Sequence, residues 1–109
     1  GAMMSLYEPD GTSIDLQRDT HDLIQRLQQQ NKSMRETKAG TLTRIDGIES
    51  ILTTLTSKSP FQGQTEKDLL LTAPRPQGLF YIVFIAPESD DGEAQHAFEQ
   101  MIQSIRFAR

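Results

Sequence analysis

The 109-residue chain contains no cysteine and no tryptophan. Without cysteine there are no disulfides, no thiolate nucleophiles and no cysteine-bearing zinc sites. Long apolar runs are missing too. The longest, Leu79 to Ala86, covers eight residues, far below the roughly 20 that a membrane-spanning helix requires. Five prolines and seven glycines are too few for a collagen-like or low-complexity chain. An excess of positive charge is also lacking: 11 basic residues stand against 15 acidic ones, for a formal charge of −4. That is the wrong sign for a protein that must displace counterions from duplex phosphates. The remaining composition, 36% hydrophobic and 24% charged, is that of one globular domain. Gly1-Ala2-Met3 reads as a protease scar, which places a single α+β domain over residues 4–109.

Turn chemistry at Pro9-Asp10-Gly11 precedes the first periodic segment, and a short strand fits before it. Leu16, Leu23, Ile24 and Leu27 share one helical face with Thr20 between them, which predicts a helix over Leu16–Gln30. Ser13 is the expected N-cap, Asp22 and Arg26 form an acid-before-base pair, and Asn31 is expected to close the helix in a left-handed conformation. Arg35–Thr43 and Ile48–Ser57 flank Asp46-Gly47, the strongest short-range hairpin signal, and are rich in threonine and isoleucine. A third strand is expected over Thr65–Ala73. After a five-residue turn, Pro74 to Gly78, a fourth covers Leu79–Ala86, apolar on both faces and therefore central. Asp90 and Glu93 resemble a capping box ahead of a second helix, Asp91–Ile105, with its stripe at Ala94, Ala97, Phe98, Met101, Ile102 and Ile105. The expected fold class is α+β: a four-strand antiparallel meander flanked by an N-terminal and a C-terminal helix, in the order α-β-β-β-β-α.

Nothing in this pattern assembles a catalytic or metal centre. His96 and Glu99 lie three apart on the second helix and His21 sits on the first, but a zinc site takes three or four protein ligands. The acidic group Glu88, Asp90, Asp91 and Glu93 lacks the alternating spacing of a calcium loop. Ser57 and Lys58 are neighbours on a strand and point to opposite faces, so they form no nucleophile-base pair. No glycine cluster cradles a phosphate. No cofactor or metal is expected, and the chain reads as a non-enzyme. The interaction candidates are Phe61, in the loop Ser59-Pro60-Phe61-Gln62-Gly63, Arg75, in Pro74-Arg75-Pro76-Gln77-Gly78, and Tyr81, on the second apolar face of the fourth strand. The two loops should emerge at opposite ends of the sheet.

Tyr7-Glu8-Pro9, Asp22-Leu23-Ile24, Gln28 to Asn31, Ile45-Asp46-Gly47, Leu55, Ser59-Pro60, Arg75 to Tyr81, Ala86-Pro87-Glu88 and Ser104 to Phe107 together mark a resemblance. The chain resembles a non-catalytic domain on the C-terminal side of bacterial zinc metallopeptidases of the CaaX-prenyl-protease/Oma-like class. Such domains resemble PsbP-like sandwiches, in which helices cover an antiparallel sheet, and the first strands that the family implies before Tyr7 read as missing here. The peptidase signature H-E-x-x-H is absent, so no peptidase residue carries over. The resemblance implies an accessory or protein-interaction domain beside a metallopeptidase or envelope protein, in an extracytoplasmic (periplasmic or secreted) setting. The alternative is a small-molecule or lipid-binding domain with a pocket between sheet and helix, lined by Phe80, Phe84, Phe98 and Met101. Because both faces of the fourth strand are apolar, both need cover. Helices on opposite faces, giving a three-layer monomer, are expected ahead of a homodimer or a docked neighbouring domain.

Overall fold

The computed structural model describes residues 2–7, 14–58, 65–87 and 92–107. In chain order these form β1 (Ala2–Tyr7), α1 (Leu16–Gln30), β2 (Arg35–Ile45), β3 (Ile48–Lys58), β4 (Thr65–Arg75), β5 (Gly78–Pro87) and α2 (Glu93–Gln103). The strands make one antiparallel sheet in the order β1-β5-β4-β3-β2. The α+β class and the antiparallel meander therefore hold, but the described sheet has five strands rather than four. The additional strand, β1, pairs Met4 with Ile82 and Leu6 with Phe80. It explains how β5, the last strand of the meander, has a neighbour on both sides.

The hairpin between β2 and β3 turns on Asp46 (φ 51°) and Gly47 (φ 79°), the paired positive φ values of a two-residue turn that matches strand twist. The turn between β4 and β5 is tighter than the five residues expected. Arg75 pairs with Gly78, leaving only Pro76-Gln77 between the strands. The β3–β4 and β4–β5 connections leave at opposite ends of the sheet.

Both helices are present, with different caps from those expected. Ser13 lies outside the described residues, and the N-cap of α1 is Asp15, whose Oδ1 accepts from the Arg18 backbone N–H at 2.8 Å. Asp19 reaches back to accept from the Asp15 N–H at 2.8 Å, so two carboxylates satisfy two backbone donors at the helix start. Asn31 is extended (φ −133°) instead of left-handed. Its Oδ1 accepts from the Ser33 N–H and Oγ–H at 3.1 and 2.6 Å, which turns the chain through a side-chain-mediated bend. Arg26 donates from Nε to Tyr7 Oη at 3.0 Å, not to Asp22. α2 begins two residues later than expected, at Glu93, with left-handed Gly92 (φ 93°) as its N-cap and no side-chain cap. Asp90 and Asp91 lie outside the described residues.

The helices pack on opposite faces. Leu23 and Ile24 of α1 join Met34, Leu55, Leu70, Leu79 and Val83 in one core. Phe98 and Ile102 of α2 join Ile45, Leu69, Leu71 and Ile82 in the other. The alternation of β4 and β5 thus feeds two cores, and the three-layer arrangement anticipated from the apolar faces of β5 is the one observed. No helix among the described residues is long and apolar enough to cross a membrane.

Candidate functional site

α1 lies across the three middle strands of the sheet. Its stripe lies over β3, β4 and β5, and the edge strand β2 extends past its flank. Within the helix the polar member of the stripe, Thr20, is buried, and its hydroxyl lies 2.7 Å from that of Thr72 in β4. Thr72 Oγ1 in turn donates to the Ile51 carbonyl at 3.4 Å. Since each hydroxyl carries one proton, Thr20 is the donor to Thr72. This relay fixes α1 to the sheet at one depth.

Between α1 and the edge strand lies a groove of about 220 Å³. α1 contributes Gln17, Thr20, His21 and Ile24, β2 contributes Glu36, Gly40 and Leu42, and Ile51 and Thr53 of β3 form the floor. Gly40 is required there. A Cβ on it would stand 2.6 Å from Ile51 Cγ2 and 3.3 Å from Thr53 Oγ1, and the β2–β3 register shifts on either side of Lys38 bring the backbone this close. At the N-terminal end of α1 a second hollow of about 450 Å³, edged by Asp15, Leu16, Glu49 and Pro74, shares Gln17 and Leu42 with the first. Leu42 is 56% exposed between them, on a strand whose outer backbone edge is unpaired in the sheet.

The sheet also holds one buried polar pair. Ser57 Oγ donates to Asp68 Oδ2 at 2.8 Å, and the second carboxylate oxygen of Asp68 has no partner. Burial pushes the Asp68 carboxyl above its ordinary range, the Ser57 hydrogen bond pulls it part of the way back, and the Glu66 charge adds to the rise. Both side chains are sealed from solvent, so Ser57 has no access to a substrate. Lys58 is exposed on the opposite face.

Of the three interaction candidates, the two that are described, Arg75 and Tyr81, lie on opposite faces of the sheet. Phe61 lies outside the described residues. Arg75 stacks its guanidinium over the Phe107 ring, 4.5 Å from Cζ to the centroid, on the α2 face. Tyr81 is half-buried against the α1-side core, on the reverse of the sheet. Phe80, Phe84, Phe98 and Met101, the residues expected to line a pocket, pack together in the α2-side core, where Phe98 is fully buried. Among the described residues no group of three or more His, Asp or Glu side chains is placed to hold a metal ion. The groove itself was not foreseen from the sequence. Its signals were a glycine and an exposed leucine on one polar strand, which gain meaning only once the position of α1 is known. No protein-family model matches the chain, and no curated protein matches it significantly.

Proposed function

We propose that the chain is a non-enzymatic accessory domain that binds a partner protein along β2, with the groove beside α1 receiving an apolar side chain of that partner. One observation carries this reading: an apolar residue, Leu42, stands 56% exposed on the outer edge strand of the sheet, next to a hollow floored by buried Ile51 and Thr53. An unpaired edge supplies backbone donors and acceptors to an incoming extended segment, and a neighbouring hollow selects its side chains. Among the described residues no strand pairs with the outer edge of β2. A place beside a bacterial metallopeptidase or envelope protein, a PsbP-like relationship and an extracytoplasmic setting belong to the same proposal and rest on the sequence resemblance. The domain acts as a monomer in this reading, since each face already has its helix.

A displayed library of extended peptides selected on the chain tests the proposal. The expected peptides carry an apolar anchor and lose at least about tenfold in affinity, about 1.4 kcal/mol, against Leu42→Lys. Selected peptides that bind Leu42→Lys as well as the parent would overturn the assignment of this edge. Proteolysis by the chain itself that is sensitive to a chelator would overturn its non-enzymatic part.

A further inference from the structure

Charge in β2, β3 and β4 is sorted by face. Residues directly opposite one another in a sheet share a face. The pairs Arg35–Thr56, Thr56–Lys67 and Lys58–Thr65 therefore put Arg35, Lys58 and Lys67 on the α2 face. The same register puts Glu36, Glu49, Glu66 and Asp68, every acidic residue of these strands, on the α1 face. Arg44, opposite Glu49, is a basic residue on the acidic side.

α2 does not cover the basic end of its face. Its buried residues Phe98 and Ile102 pack farther along, on Ile45, Leu69, Leu71 and Ile82. Arg35 and Lys58 are exposed, and Thr54, Thr56 and Lys67 are half-exposed. Neither Lys58 nor Lys67 forms an ion pair among the described residues. Arg35 is anchored through Nη1 to the carbonyls of Lys32 and Met34, both at 2.8 Å. With strands about 4.8 Å apart and residues about 3.4 Å along them, the three cations flank Thr56 within a patch about 10 by 7 Å. That is comparable to the screening length at about 0.1 M salt, so the charges act together.

We propose that this threonine-floored basic face docks an acidic segment of a partner protein. Separately placed carboxylates match separately placed lysines, and the threonine hydroxyls between them can donate to the same oxygens. Single-stranded nucleic acid would need rings on which to stack. Among the described residues the phenylalanine rings on this side of the sheet are engaged with each other, Phe84 with Phe98 at 5.4 Å and Phe80 with Phe107 at 5.3 Å. A duplex would bring a continuous row of phosphates to a chain whose net charge is −4. This face is the reverse of the one holding the Leu42 groove, so the two surfaces stand or fall separately.

Titration of the ¹⁵N-labelled chain with a hexaglutamate peptide, followed by amide shifts, tests the proposal. The expected result is a saturable shift at Thr54, Thr56, Lys58 and Lys67 that weakens severalfold between about 0.05 and 0.2 M salt. Lys58→Gln with Lys67→Gln should weaken binding at least about fivefold at an unchanged melting temperature, and Lys58→Arg with Lys67→Arg should retain it. Glu36→Gln with Glu66→Gln, on the other face, should leave it intact. No saturable shift, equal binding by the double glutamine variant, or tighter binding of oligothymidylate, inorganic phosphate or phosphatidylserine vesicles would each overturn it.

Discussion

The backbone N–H of Phe107 donates to Oδ2 of Asp46 at 2.9 Å, tying the segment after α2 to the first hairpin turn across most of the chain. The same segment brings the Phe107 ring against Phe80 and beneath Arg75. One carboxylate thus serves both as a turn residue with positive φ and as the anchor for the C-terminal cover of the α2-side core.

Asp46→Ala should therefore destabilise the domain by about 1–2 kcal/mol, through loss of the hydrogen bond and of a residue that tolerates the left-handed turn. Asp46→Asn, which keeps an acceptor and the turn preference, should cost less than half as much. Urea denaturation of the two variants checks the order.

The Thr20–Thr72 hydroxyl pair predicts coupling between α1 and β4. Thr72→Val leaves the buried Thr20 hydroxyl without its acceptor and should cost about 1–3 kcal/mol. Thr20→Val added to it should cost clearly less than the sum of the two single changes, because the orphaned group is removed as well. An additive double-mutant cycle would contradict the relay.

Gly40→Ala should destabilise by about 1–3 kcal/mol, since its Cβ would stand 2.6 Å from Ile51 Cγ2. In the Ile51→Ala background, where that methyl is gone, the penalty of the glycine change should fall by about 1 kcal/mol or more. Chemical denaturation of the four proteins in the cycle measures it.

Asp68 predicts a pH dependence. Its carboxyl is raised above 3.8 in the folded chain by burial, so the folded state holds the proton more tightly than the unfolded one. Its favourable contribution is present below the unfolded value and is lost as pH rises through the folded value. Asp68→Asn, neutral throughout, should gain stability relative to the parent as pH increases from about 4 toward neutrality. Melting temperatures of both proteins at matched ionic strength check this, and parallel curves would mean that Asp68 titrates normally.

The elements legible in the sequence were those carried by local pattern. Leu16, Leu23, Ile24 and Leu27 marked α1 over its observed length, and Asp46-Gly47 marked the first hairpin turn. β1 was legible only as a short strand ahead of Pro9-Asp10-Gly11, outside the meander, because its six residues are few and the first two read as a scar, although Met4 and Leu6 alternate with Ser5 and Tyr7 as a strand requires. Caps failed where the rule was satisfied twice. Asp15 and Ser13 both suit the start of α1, and only the reach of Asp19 back to Asp15 distinguishes them. Prolines 74 and 76 suggested a wide turn, yet Pro74 pairs opposite Leu79 within the sheet. The groove and the basic face depend on where each helix lies across the sheet, which periodicity along one element cannot convey. The sorting of charge between faces, in contrast, is written in the alternation of β2, β3 and β4 and becomes visible once their register is known.

β1 differs from every other strand in how it finds its partner. The three hairpins from β2 to β5 close between neighbours in sequence, whereas β1 pairs Met4 with Ile82, spanning most of the chain. Its loop-closure cost is recovered only after β5 is in place, so it joins last during folding and detaches first. Until it arrives, the outer edge of β5 is open to the same segment of another molecule, and exchange of that segment between chains becomes a bimolecular competitor. Refolding yield should then fall as chain concentration rises.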